Sequence, residues 1–179
     1  METSQLESVL IQLRRLHHHG GVPVSLHGTR DWYEVMLFPP AVDAQIARAQ
    51  ERLDKQLPAD FLHFWRFTNG ANLFVNESGL HGIGVASTDL VVELERDEVE
   101  TYGLAALRDH VVFARVNGAG DFLAFNLRTG AVVDGVHSEQ PSEWKEIAPS
   151  FTAWIQRLVE VDGRYYWIEA LYEAAPADG

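Results

Sequence analysis

Cysteine is absent from the 179 residues. That excludes disulfides, thiolate metal sites and a cysteine nucleophile. Basic side chains are scarce: 14 Lys and Arg stand against 26 Asp and Glu, a net charge of −12. Nucleic-acid binding needs a basic face, so this balance argues against it. An acidic surface instead favours a basic protein partner and speeds encounter with one. No apolar run is long enough to span a membrane. Met1–Gln5 show no basic region leading into an apolar stretch, so no secretory signal is read there. The cytoplasm is the expected compartment.

Recognisable catalytic and cofactor motifs are missing too. There is no Gly-Lys-Ser/Thr loop and no Gly-x-Ser-x-Gly elbow. Gly79, Gly82 and Gly84 run in the reverse order of a dinucleotide fingerprint. His17-His18-His19 lacks the spacing of zinc ligands, because adjacent helical residues point in different directions. Asn117-Gly118-Ala119-Gly120-Asp121 reads as a turn between strands rather than a phosphate cradle. No cofactor, no metal and no catalytic residue is expected.

Hydrophobic residues make up 46% of the chain, enough for one domain with a real core. Leu6, Val9, Leu10, Leu13 and Leu16 keep helical spacing. Val22 to Phe38 alternates as a hairpin would, with a turn at His27–Asp31, and Pro39-Pro40 stops it. Val42 to Leu53 forms the next helix, with Asp43 as the expected N-cap and Gln50 on its apolar stripe. A short helix follows. Pro58 suits its first turn, Asp60 suits its positive end, and Gly70 suits a left-handed closing position after Asn69. Phe61, Leu62, Phe64 and Trp65 share its buried arc.

Beyond Gly70 the period changes. Short strands are expected at Leu73–Val75 and Ile83–Ala86, then a helix over Glu93–Arg108 that Gly103 weakens. Val111–Val116, Asp121–Leu127 and Ala131–Val136 read as a three-stranded antiparallel meander. Ser150 caps a helix over Phe151–Val161, and Arg164–Ala174 reads as a last, aromatic helix before a frayed tail. The sum is an α+β single domain, a mainly antiparallel sheet flanked by helices.

Leu57-Pro58-x-x-Phe61-x-x-Phe64 followed by Asn69-Gly70 resembles the opening of the SUKH superfamily of fungal cell-wall-synthesis regulators and bacterial immunity proteins. Gly120-Asp121 opening a strand and Ser150-Phe151 opening a helix are similar to later parts of that pattern. Gln50 stands where many members carry Glu, and Asp54 where many carry Gly. The resemblance spans residues 39–161. Residues 1–38 then form an extension packed on the domain, and 162–179 a C-terminal aromatic helix and tail. It implies a non-catalytic protein-binding module, in bacteria an immunity protein that neutralises a cognate toxin. Pro58, Phe61, Phe64, Asn69, Gly70, Gly120 and Asp121 are then structural motif residues.

The expected partner surface is the acidic run Glu93, Glu95, Asp97, Glu98 and Glu100, with Trp144 as an anchor for a basic toxin domain. A regulatory scaffold bound to an endogenous protein is the alternative. A small enzyme or ligand-binding protein would need a deep pocket with converging polar groups.

Overall fold

In the computed structural model the described residues are 2–26, 29–118, 121–136 and 138–168. Five helices and eight strands follow in the order α1 (Glu2–His18), β1 (Val22–Leu26), β2 (Thr29–Leu37), α2 (Asp43–Leu53), α3 (Ala59–Phe67), β3 (Ala71–Asn76), β4 (Ile83–Val85), α4 (Leu90–Tyr102), β5 (His110–Val116), β6 (Phe122–Asn126), β7 (Val132–Gly135), β8 (Lys145–Ala148) and α5 (Phe151–Glu160). The strands form one sheet in which spatial order equals sequence order, and every neighbouring pair is antiparallel. The fold is a single-domain α+β arrangement around this eight-stranded meander. The expected three-stranded meander is its second half, extended by β8. The strand β8 escapes sequence reading because its four residues alternate weakly and follow a long turn.

One face of the sheet is covered by α1, α3 and α5, which pack on one another. Phe61 is the hub. Its ring meets Trp65 at 4.6 Å, Phe125 at 5.0 Å, Phe151 at 5.1 Å and Phe113 at 5.5 Å. These tilted and edge-on contacts add to the area each ring buries. The Asp60 carboxylate joins the two helix starts. One oxygen accepts the Phe61 N–H at 3.0 Å, and the other accepts the Thr152 N–H at 2.8 Å and hydroxyl at 3.0 Å. A single negative charge thus serves the positive ends of both α3 and α5. Ser150 caps α5 as expected, accepting from the Ala153 N–H.

Several boundaries differ from the sequence reading. The N-cap of α2 is Val42, not Asp43, and its free N–H is taken by the Gln45 side chain at 2.9 Å. Helix α4 begins at Leu90 and stops at Gly103, which adopts φ 84, so the stretch 104–108 is turn rather than helix. Pro58 precedes α3 as its N-cap. Of the expected last helix, 164 and 165 are not helical, 166–168 are, and the remainder lies outside the described residues, as does the tail.

One strained residue ties the end of α5 to the sheet. Phe74 is buried at φ 54, where β3 bulges against β2. Gly163, at φ 80, lies under its ring, and a Cβ there would stand 2.2 Å from Phe74. Only glycine permits that approach. The first 38 residues contribute to the same framework. Strand β2 pairs with β3, and α1 packs on β2 and α5.

A candidate partner-binding surface around helix α4

Among the described residues, the opposite face of the sheet is only half covered. Helix α4 lies over β5. Its inner stripe is Val91, Leu94, Glu95 and Glu98, the i, i+3, i+4, i+7 pattern of a core-facing helix with two carboxylates in apolar positions. The expectation of five solvated acids is therefore corrected. Glu95 is 8% exposed and Glu98 2%. Each meets a cation from elsewhere in the chain. Lys55, in the loop after α2, pairs with Glu95, and Arg115 on β5 pairs with Glu98 at 3.1 Å.

Lys55 is the keystone of this layer. Besides Glu95, its ammonium donates to the carbonyls of Leu107 at 2.9 Å and His110 at 2.7 Å. All three donors are used, and the α2–α3 loop, α4 and the turn before β5 are locked together. Burial pushes the Glu95 carboxyl above the ordinary range, and Lys55 opposes that shift. Burial likewise lowers His110, with Asp109 opposing and Lys55 adding to the effect.

Trp144 was expected as an exposed anchor, and it is not one. It is 8% exposed, with its ring edge-on to Tyr102, His110 and Phe122. It closes the end of the α4 layer, because Phe122 projects to this face opposite Gly135 and needs cover. The signal for these inward roles was the spacing 91, 94, 95, 98. Their partners, Lys55 and Arg115, are too distant in sequence to be paired by inspection.

Glu93, Asp97 and Glu100 do face solvent. The exposed rim continues past the helix end to Leu104, 68% exposed. The half of the same sheet face that no described element covers carries Trp32 and Met36 on β2, each 46% exposed, with Glu34 between them and Asn72 alongside. The Trp32 indole donates to the Gly20 carbonyl at 3.0 Å.

The described motif residues sit within the scaffold. Phe61 and Phe64 are fully buried. The Asn69 amide oxygen accepts the Thr88 N–H at 2.8 Å, so Asn69 fixes the loop that launches α4. Gly70 has φ 90 but opens β3 rather than closing α3, which ends through Thr68. Gln50 accepts the Leu57 N–H at 3.1 Å, and Asp54 adopts φ 52, the conformation for which glycine is the ordinary choice. Gly120 lies outside the described residues. Asp121 is half-buried and close enough to Asp134 to help raise it.

His17 is tied to β2, its Nδ1 lying 3.1 Å from the Val35 carbonyl, while His18 and His19 are exposed. Among the described residues no group of three or more His, Asp or Glu side chains is arranged to hold a metal ion. No helix among them is long and apolar enough to cross a membrane.

Residues 40–157 match the SMI1 / KNR4 family (SUKH-1), well over half of the chain. The chain belongs to that family. Among curated proteins no match is found. SUKH proteins bind protein partners and are generally non-catalytic, and they include both immunity proteins and Smi1/Knr4 regulators. Helices α2 to α5 and strands β3 to β8 lie largely within the matched span. The helix α1 and the hairpin β1–β2 precede it.

Proposed function

We propose that this SUKH-1 chain is a non-catalytic, cytoplasmic immunity protein that neutralises a toxin by stoichiometric binding to a basic toxin domain. The observation that carries the reading is the outer side of α4. Glu93, Asp97 and Glu100 are presented to solvent by a helix whose inner carboxylates are already neutralised by Lys55 and Arg115. A net charge of −12 reinforces the field of that face. Such a surface steers a basic protein toward it, while a few apolar contacts set how long it stays. The partner-facing set is narrowed to Glu93, Asp97 and Glu100. Glu95, Glu98 and Trp144 act behind them by holding the helix in place.

The test is affinity capture from the source organism with the wild-type chain and with a Glu93→Lys/Asp97→Lys/Glu100→Lys variant, washed at low and at high salt. A basic protein held only by the wild type, toxic when expressed alone and harmless when expressed with the chain, is the expected result. A captured housekeeping protein that is harmless by itself would instead favour a regulatory scaffold. Equal capture by both variants would remove α4 from the interface.

A further inference from the structure

A single imidazole joins three segments that are far apart in the chain. His81, in the turn between β3 and β4, stacks on Tyr33 of β2 at 4.6 Å between ring centroids and on Tyr165 at 4.2 Å, with interplanar angles of 23° and 11°. Tyr33 and Tyr165 lie outside the matched span 40–157, and His81 lies inside it. The His81 Nε2 stands 2.9 Å from the Gly163 carbonyl. A carbonyl only accepts, so Nε2 carries the proton of the neutral ring. The Tyr165 hydroxyl accepts the Gly82 N–H at 2.7 Å and donates to the Gly82 carbonyl at 2.8 Å. Residues 164–168 thus lie as a strap against the β3–β4 turn. They follow two consecutive left-handed residues, Asp162 at φ 53 and Gly163 at φ 80. Their own backbone bonds are local, from the Tyr166 N–H to Arg164 and from the Ile168 N–H to Tyr165. Among the described residues, side chains fasten the strap to the sheet: the Tyr165 hydroxyl, the stacked rings and the buried Trp167.

We infer that this strap is a catch that acid opens: it closes on the β3–β4 turn while His81 is neutral and leaves that turn when the ring gains a second proton. A proton added at Nδ1 makes an imidazolium with a tyrosine ring on each face. Those faces attract a cation, but the hydration given up on both sides opposes it. Burial holds the His81 imidazole below its ordinary range, against the Gly163 carbonyl and Asp31, which favour the charged form. Asp31 is the charge that β2 presents to it. Both Asp31 oxygens are engaged, by the Trp32 N–H at 2.8 Å and by the amide of Asn76 on β3 at 3.2 Å. Arg164, the cation of the strap, is turned back to the Val161 carbonyl at 3.2 Å. Tyr33 and Tyr165 stay neutral, since burial raises both hydroxyls, Tyr165 to about 12. With the strap open, the ring regains water on the Tyr165 side and moves back toward 6.5. Protonation therefore favours the open strap. Closure is strongest above pH 6.5 and weakens as pH falls through the lower value of the closed form. The catch is independent of whether the chain neutralises a toxin.

The Gly82 amide reports on the strap, because its acceptor is the Tyr165 hydroxyl. Hydrogen exchange of the full chain is followed at pH 8 and pH 5, each rate being divided by the intrinsic rate at that pH. Protection of Gly82 is expected to fall severalfold at pH 5. The Trp154 amide, inside α5 and bonded to the Ser150 carbonyl, should keep its protection, which separates local opening from unfolding. His81→Phe keeps a ring between the tyrosines and cannot take the proton. Asp134, close to Trp167, pulls the other way, since its raised carboxyl favours the closed form at low pH. Protection of Gly82 in His81→Phe should therefore hold or rise at pH 5. In the wild type the His81 Cε1–H signal, followed through the same range, should titrate below 6.5. Equal Gly82 protection at the two pH values, a fall shared by Trp154, an equal fall in His81→Phe, or a His81 midpoint at or above 6.5 would each overturn the inference.

Discussion

The two faces of the sheet are built on different physics. On the α3–α5 face the contacts are rings on rings: Phe61, Phe113, Phe125, Phe151 and Trp154 are all fully buried. On the α4 face the middle of the layer is ionic, with Lys55–Glu95 and Arg115–Glu98 between helix and sheet. Apolar packing is non-directional and stabilises in proportion to area. A buried ion pair adds little net stability but fixes register, because a displaced partner leaves a charge without compensation. The first face holds the fold together. The second sets where α4 stands and so where its outer carboxylates point.

The comparison breaks most sharply at Phe61. A Phe61→Ala variant leaves a cavity among five rings and should lose about 4 kcal/mol, read as a lower urea midpoint at unchanged slope. Lys55→Met comes next. It strands Glu95 in a site that already raises its pKa, and should cost about 3 kcal/mol. The double variant Lys55→Met/Glu95→Leu should return to within about 1 kcal/mol of wild type, because the charge is removed along with its partner. A double variant no better than the single would mean that the carbonyl contacts, not the charge pair, hold this layer.

Asp134 sharpens the contrast through pH. Burial, with Asp121 and Glu139 nearby, raises its carboxyl to about 6 against Lys145. The folded state therefore binds the proton more tightly than the unfolded one. This group's contribution is greatest below about pH 4 and is lost as pH rises through 6. Asp134→Asn should be more stable than wild type by about 2 kcal/mol at pH 8 and should lose that advantage near pH 4. Thermal melts at the two pH values measure it. The smallest effect is expected on the outer rim. The triple reversal of Glu93, Asp97 and Glu100 should change stability by no more than about 0.5 kcal/mol, while altering charge-dependent binding.

Much of the fold was legible in the chain. The stripes of the first, third and fifth helices, the stop at Pro39-Pro40 and the Ser150 cap follow from period and local chemistry. The site was legible only in part. The run from Glu93 to Glu100 was found, but its five carboxylates read as one surface. Charge alone says nothing about direction. The spacing of Val91, Leu94, Glu95 and Glu98 does, once an inward stripe is allowed to contain acids. Trp144 misled in the other direction. Its neighbourhood is polar in sequence, and its cover comes from Tyr102, His110 and Phe122, which the topology brings to it.

By itself, then, the amino-acid order determined the class of fold, the helix carrying Phe61 and Phe64, and the acidic balance of the chain. These are properties of local periodicity, composition and short motifs. Tertiary structure alone decided which carboxylates are inside, because Lys55 and Arg115 reach Glu95 and Glu98 only after the meander has brought 55, 95 and 115 together. It also decided that His81 stands between Tyr33 and Tyr165. Pairing across seventeen residues, as for Glu98 and Arg115, or forty, as for Lys55 and Glu95, leaves no trace in a sequence pattern. In the folded chain it determines where charge can be buried and where it must face water.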